Sequence, residues 1–167
     1  MDIPAHLHHR PTSSGLVVPI ATPRTADGQY LFGLLEDGRH RALLLGRRCQ
    51  VCGHRLGDRL ILFARPADLL LSCTSEPALC PPCAAYSTRA CPMLSGRMPH
   101  YRAQPRAAEA GLPTSDDTAL RRGRPADTWH AVWLDDYDVV PHPARSAVLA
   151  ASWQQHTPLA IRPVPTR

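Results

Sequence analysis

The residues best suited to chemistry in this chain are its cysteines. Four of the six fall into two matched pairs: "RCQVCGH" holds Cys49 and Cys52, and "LCPPCAA" holds Cys80 and Cys83. Two intervening residues let both sulfurs of a pair turn toward one point. Two such pairs supply the four thiolates that a tetrahedral zinc ion takes. Gly53 suits the positive-φ position after the first pair, in a turn whose backbone amides donate to sulfur. Pro81 and Pro82 stand where a helix can begin, because the first helical amides have no intrahelical acceptor. The second pair is therefore expected on the first turn of a helix from about Pro81 to Cys91, stopped by Pro92. The positive end of that helix favours thiolates. The expected ligand set is Cys49, Cys52, Cys80 and Cys83 around one structural Zn2+. Four sulfurs leave the ion no open position for water, which speaks against metal catalysis.

The two remaining cysteines compete for the site. Cys91 follows Cys83 by two helical turns and more, about 12 Å on a continuous helix, too far to share one ion. It is expected as an apolar filler beside Met93 and Leu94, unless the helix breaks early and Cys91 replaces Cys80. Cys73 has no ligand spacing, and disulfides are the competing use of all six. Three catalytic arrangements compete with the structural one. Cys-Pro-Pro-Cys at a helix start suits dithiol redox chemistry, but that would leave Cys49 and Cys52 without a purpose. A zinc deaminase needs Glu two places after its first ligand, and Glu76 stands three after Cys73. A His-metal nuclease needs His or Asn on its helix; "CAAYSTRAC" has neither, and the chain contains no Asn. No catalytic residue is assigned, and the balance leans away from an enzyme.

Other polar clusters are weaker. "HLHH" (His6, His8, His9) can bind metal but reads as part of an arm, and His100, His130, His142 and His156 share no spacing. "LDDYD" (134–138) offers three carboxylates on what reads as a solvated turn. The formal charge is +5, and all 19 basic residues are arginine. A bias spread along the whole chain resembles coding pressure from a GC-rich genome more than a recognition surface. The densest runs, "GRR" (46–48) and "RRGR" (121–124), are the candidates for contact with nucleic acid phosphates. Apolar surface around Trp129, Trp133 and Trp153 is the candidate for a protein partner. No run approaches the roughly 20 apolar residues of a membrane-spanning helix. With no secretory pattern at the N-terminus, the expected location is the cytoplasm, where thiols stay reduced.

The elements that must hold the cysteines are short. With 18 prolines among 167 residues, loops are favoured over long helices. Residues 1–15 read as a flexible arm. Residues 16–102 read as a β segment plus the zinc module, with strands expected in "QYLFGLLE" (29–36) and "RLILFARP" (59–66) and a helix over 39–48. "ADLLLSC" fits helix or strand. Residues 103–127 read as a linker or long loop. Residues 128–167 read as a C-terminal β segment packing on the module, with strands in 128–140, "SAVLAASW" and "PLAIRP". The fold class is α+β: a small treble-clef-like zinc module flanked by short strands and Pro-rich loops.

"RRCQVCG" and "SEPALCPPCAAYSTRACPML" together resemble a group of small uncharacterised Cys-x-x-Cys proteins of actinobacteria and their phages. The resemblance covers about residues 47–94. It implies Cys49, Cys52 and Cys83 as ligands more firmly than Cys80, keeps Cys91 in play, and implies no activity. The functional expectation is a zinc-stabilised, non-enzymatic binding module of unassigned specific role, with nucleic acid as one candidate partner. The alternatives are a protein-interaction or assembly module and a zinc-dependent enzyme.

Overall fold

The chain was analysed as a computed structural model that describes residues 2–103 and 121–166. It is α+β, with few helices and several small sheets. A one-turn 3-10 helix (Ala5–Leu7) leads into a hairpin of β1 (Thr12–Ser13) and β2 (Leu16–Val17). Helix α1 (Asp37–Leu45) follows, then β3 (Leu60–Ala64), α2 (Pro66–Leu71), β4 (Cys73–Thr74) and α3 (Pro81–Ala90). Strands β5 (His130–Leu134), β6 (Asp138–His142), β7 (Arg145–Ser152) and β8 (Ala160–Pro163) complete the order.

The layout turns on the pleat of β3 and β5. β5 pairs antiparallel with β3 on one side and with β8 on the other. Ile61 lies opposite Trp133, and Leu62 opposite Val132. Neighbouring side chains on a strand face opposite ways. Ile61, Phe63, Ala131 and Trp133 therefore pack into one core with Leu7, Val17, Cys49, Cys52, Cys83 and Tyr86. Leu60, Leu62, Ala64, Val132 and Leu134 pack into a second core with Leu44, Ala78, Tyr137, Ala151 and Trp153. A strand covered on both faces needs no polar alternation. That is why β3 reads "LILFA" and is buried at every position. The second core is roofed by the sheet β4-β7-β6.

Several element boundaries differ from the sequence expectation, each for a local reason. Residues 29–36 form no strand; Tyr30 makes one bridge to Arg24, and Gly33 at φ +86° turns the chain. The first helix starts earlier than 39 because Glu36 caps it, accepting from the amides of Gly38 and Arg39. "ADLLLSC" divides into the end of α2 and β4, parted by Ser72 in the left-handed conformation. The strand expected over 128–140 is split into β5 and β6 by a turn. There Tyr137 buries its ring and donates its hydroxyl to the Leu44 carbonyl at 2.9 Å. Residues 2–15 do not extend away: Leu7 is fully buried in the first core. Of the linker expected over 103–127, residues 104–120 lie outside the described residues. On either side of them the chain closes on itself, with the Tyr101 amide donating to Arg124 and the Ala126 amide to Pro99. No helix among the described residues is long and apolar enough to cross a membrane.

Candidate metal centre

The first cysteine pair sits in a tight hairpin. Arg48 bridges Arg55, the Cys49 amide donates to the His54 carbonyl at 2.9 Å, and the Gly53 amide returns to Cys49 at 2.9 Å. Gly53 adopts φ +78°, and a Cβ there would lie 2.8 Å from Ile20 Cδ1. The left-handed turn requires glycine. Two links then deliver the second pair to the first. Gln50 donates to the Ala78 carbonyl at 3.0 Å, and Leu79 exchanges both backbone bonds with Ile61, each 2.9 Å. Cys80 follows at once as the N-cap of α3, in extended backbone with φ −71° and ψ 154°, with Pro81 and Pro82 opening the helix. The Ala84 amide donates to the Cys80 carbonyl at 3.0 Å, so Cys80 and Cys83 share the first turn.

The sulfurs of Cys49, Cys52, Cys80 and Cys83 all lie within 4.8 Å of one another, close enough to hold one metal ion. Cys80 Sγ is 3.8 Å from Cys49 Sγ and 3.9 Å from Cys52 Sγ. A tetrahedral zinc with bonds of about 2.3 Å requires its sulfurs to be about 3.8 Å apart. Cys49, Cys52 and Cys83 are buried, and Cys80 is partly exposed. Such crowding is electrostatically lopsided without a cation. Hydrogen bonds from Cys80 and then Cys83 hold Cys49 far below the ordinary thiol range. The same contact with Cys49 pushes Cys80 up to about 12 and Cys83 higher still. Burial leads the upward shift of Cys52. A divalent cation at the centre of the cluster would favour the ionised form of all four thiols.

Cys73 and Cys91 stand apart from this group. Cys73 lies on β4, opposite Ser152, and burial pushes its thiol up to about 11. Cys91 ends α3, its amide donating to Ser87, and it packs against the first core. All six cysteines are free thiols.

Sequence spacing missed the histidines that cover the centre. His6 Nε2 lies 3.4 Å from Cys83 Sγ, across 77 residues of chain. His9 Nε2 donates to the Cys52 carbonyl at 3.3 Å, and its ring stacks on His54 with centroids 5.2 Å apart. The available signal was Leu7, an apolar residue set between these histidines and needing a core.

The other singled-out residues serve structure. Asp136 pairs with Arg47 and accepts from the Tyr137 amide, so "LDDYD" gathers no ligand set. Arg47 also lies over the Tyr137 ring at 4.2 Å, and Arg48, which is exposed, donates to the Gly53 carbonyl. In "RRGR", Arg121 lies over the Tyr101 ring at 5.4 Å while Arg122 and Arg124 are exposed. Trp153 is buried in the second core, leaving Trp129 and Trp133, both partly buried, beside the first.

No family model, curated protein or solved structure matches the chain. None of these comparisons supports a likeness of residues 47–94 to actinobacterial or phage proteins; what stands is a cluster of four cysteines that could hold a metal ion.

Proposed function

We propose that this chain is a zinc-stabilised, non-enzymatic binding module, in which one Zn2+ held by Cys49, Cys52, Cys80 and Cys83 fixes a scaffold for another macromolecule. The observation that carries this reading is the spacing of the sulfurs, 3.8 and 3.9 Å from Cys80 to its two neighbours in the first pair. The order of parts supports a treble-clef-like description: a cysteine hairpin, then β3 bridged to Leu79, then a helix whose first turn brings the last two sulfurs. An all-sulfur set suits zinc and leaves no coordination position for a reacting water. Six free thiols fit a reducing compartment such as the cytoplasm.

For the partner, the exposed arginines favour a polyanion. Arg59 and Arg162 line an open groove of about 380 Å³ together with the partly buried Trp133 and the exposed Leu159, which sets positive charge beside an aromatic side chain, the combination that single-stranded nucleic acid sites use. Binding through these groups would weaken steeply as salt rises, whereas a protein partner on the tryptophan surface would show little salt dependence.

Metal analysis and X-ray absorption on purified, reduced protein test the metal assignment. The expected result is one zinc per chain with four sulfur neighbours at about 2.3 Å. A folded, reduced sample free of metal would overturn it.

A further inference from the structure

We infer that residues 2–18 form a strap that closes over the metal centre and gates exchange of its ion; this rests on the zinc reading above. The strap touches both of the parts that the ion would join. On the cysteine hairpin, His9 donates to the Cys52 carbonyl and stacks on His54. On α3, His6 reaches Cys83 Sγ, and the Tyr86 hydroxyl accepts from the Val17 amide at 2.9 Å. Leu7 enters the core between them, fully buried beside Cys49 and Cys83. The strap is itself braced, with Arg10 donating twice to the Val18 carbonyl and β1 paired to β2.

A docking surface made of two elements exists only while those elements are held together. The hairpin and α3 are remote in sequence and converge at the four sulfurs. The ion would therefore add its grip to the Gln50–Ala78 and Leu79–Ile61 backbone bonds in holding the surface on which the strap closes. By linkage, the closed strap must in turn strengthen the hold on the ion. His6 acts as a positioning residue: its N–H donates to the sulfur of Cys83, the outer-layer contact that orients a metal ligand. Held by Leu7, Val17 and Val18 but paired only through the two-residue strands of its own hairpin, the strap opens at lower free energy than the sheet behind it. Strap opening is thus the easy path by which a competing chelator reaches the sulfurs.

The test follows zinc transfer from the loaded full chain to excess 4-(2-pyridylazo)resorcinol in stopped flow. The double variant His6→Ala/His9→Ala should transfer zinc roughly tenfold faster, the scale of two lost hydrogen bonds, while still binding one zinc at equilibrium. Glu36→Ala is the control: it removes the cap of α1 without touching the strap, and should transfer at the wild-type rate. A wild-type rate in the double variant, or equal acceleration in the control, overturns the strap. A wild-type chain that takes up no zinc overturns the zinc reading and the strap together. Hydrogen exchange on the unmodified chain provides a second measurement. Chelation should strip protection from the Val17 and Val18 amides before those of β5; unchanged protection of Val17 and Val18 overturns the proposal even if the double variant does not fold.

Discussion

The two cores on either side of the β3–β5–β8 sheet are built from different materials. The core behind Leu60, Leu62, Val132 and Leu134 is roofed by three paired strands and filled by Leu44, Ala151, Trp153 and Tyr137. The core behind Ile61 and Phe63 is assembled from a hairpin, a ten-residue helix and the N-terminal strap, with sulfurs at its centre. Apolar side chains on paired strands hold themselves, because ladder bonds and area burial reinforce one another. Pieces too short to fold alone need a cross-link, and four convergent thiols are the means to make one. The sheet between them belongs to both cores, so its register is fixed twice.

The sharpest way to break this contrast is to remove one ligand. Cys49→Ser should abolish zinc uptake and cost on the order of 10 kcal/mol, the contribution of structural zinc in small modules, which is comparable with the whole stability typical of such a domain, about 5–15 kcal/mol. Cys91→Ala, outside the sulfur cluster, should keep one zinc and lose only about 1–2 kcal/mol. Thermal melts followed by circular dichroism, with zinc content measured on the same samples, check both. Equal melting temperatures for Cys49→Ser and the wild type would show that the first core holds itself as the second does.

Alkaline titration sharpens the other side. Burial, joined by Asp136 and opposed by Arg47, pushes the Tyr137 hydroxyl from 10 up to about 12. Between these values the unfolded chain releases the proton and the folded chain keeps it. Stability is therefore intact below pH 10 and falls as pH rises through 12, by roughly 2–3 kcal/mol for a shift of this size. Cys73, raised from 9 to about 11 by burial, adds a loss of the same sign at lower pH. Urea unfolding of zinc-saturated protein should show the decline, and Tyr137→Phe should flatten it between pH 10 and 12. An undiminished decline in Tyr137→Phe would place the alkaline weakness outside the second core.

What was legible in the sequence follows the same division. The Cys-x-x-Cys pairs, Gly53 and Pro81-Pro82 act over a few residues, so their turn and helix start could be read directly. The apolar run 60–64 announced a strand, but not that it is covered on both faces; this needed the pairing with β5. The strap was hidden because its partners, Cys83 and Tyr86, are remote in sequence, and proximity of that kind leaves no local pattern. Tyr137 was hidden for a related reason. The three aspartates beside it are exposed, as a solvated turn implies, yet its own hydroxyl finds the Leu44 carbonyl at the end of α1. The local contacts of Arg47 with Asp136 and Tyr137, and of Arg48 with the Gly53 carbonyl, also leave no pattern in the sequence.

The smallest effect lies at two glycines of one loop. Gly53 and Gly57 flank the end of the cysteine hairpin, but only Gly53 has positive φ, and only there would a Cβ meet a neighbour, Ile20 Cδ1 at 2.8 Å; Gly57 has nothing within 4 Å. Gly53→Ala should cost about 1–2 kcal/mol from the left-handed backbone alone. The contact with Ile20 adds little, because Cδ1 is the tip of a side chain that can turn away. Gly57→Ala should be neutral or gain a few tenths of a kcal/mol by stiffening the unfolded chain. Both should still bind one zinc, since neither touches a sulfur. A Gly53→Ala protein as stable as Gly57→Ala would mean that the hairpin can relax around its ion, and that the first core is set by the metal rather than by its turn.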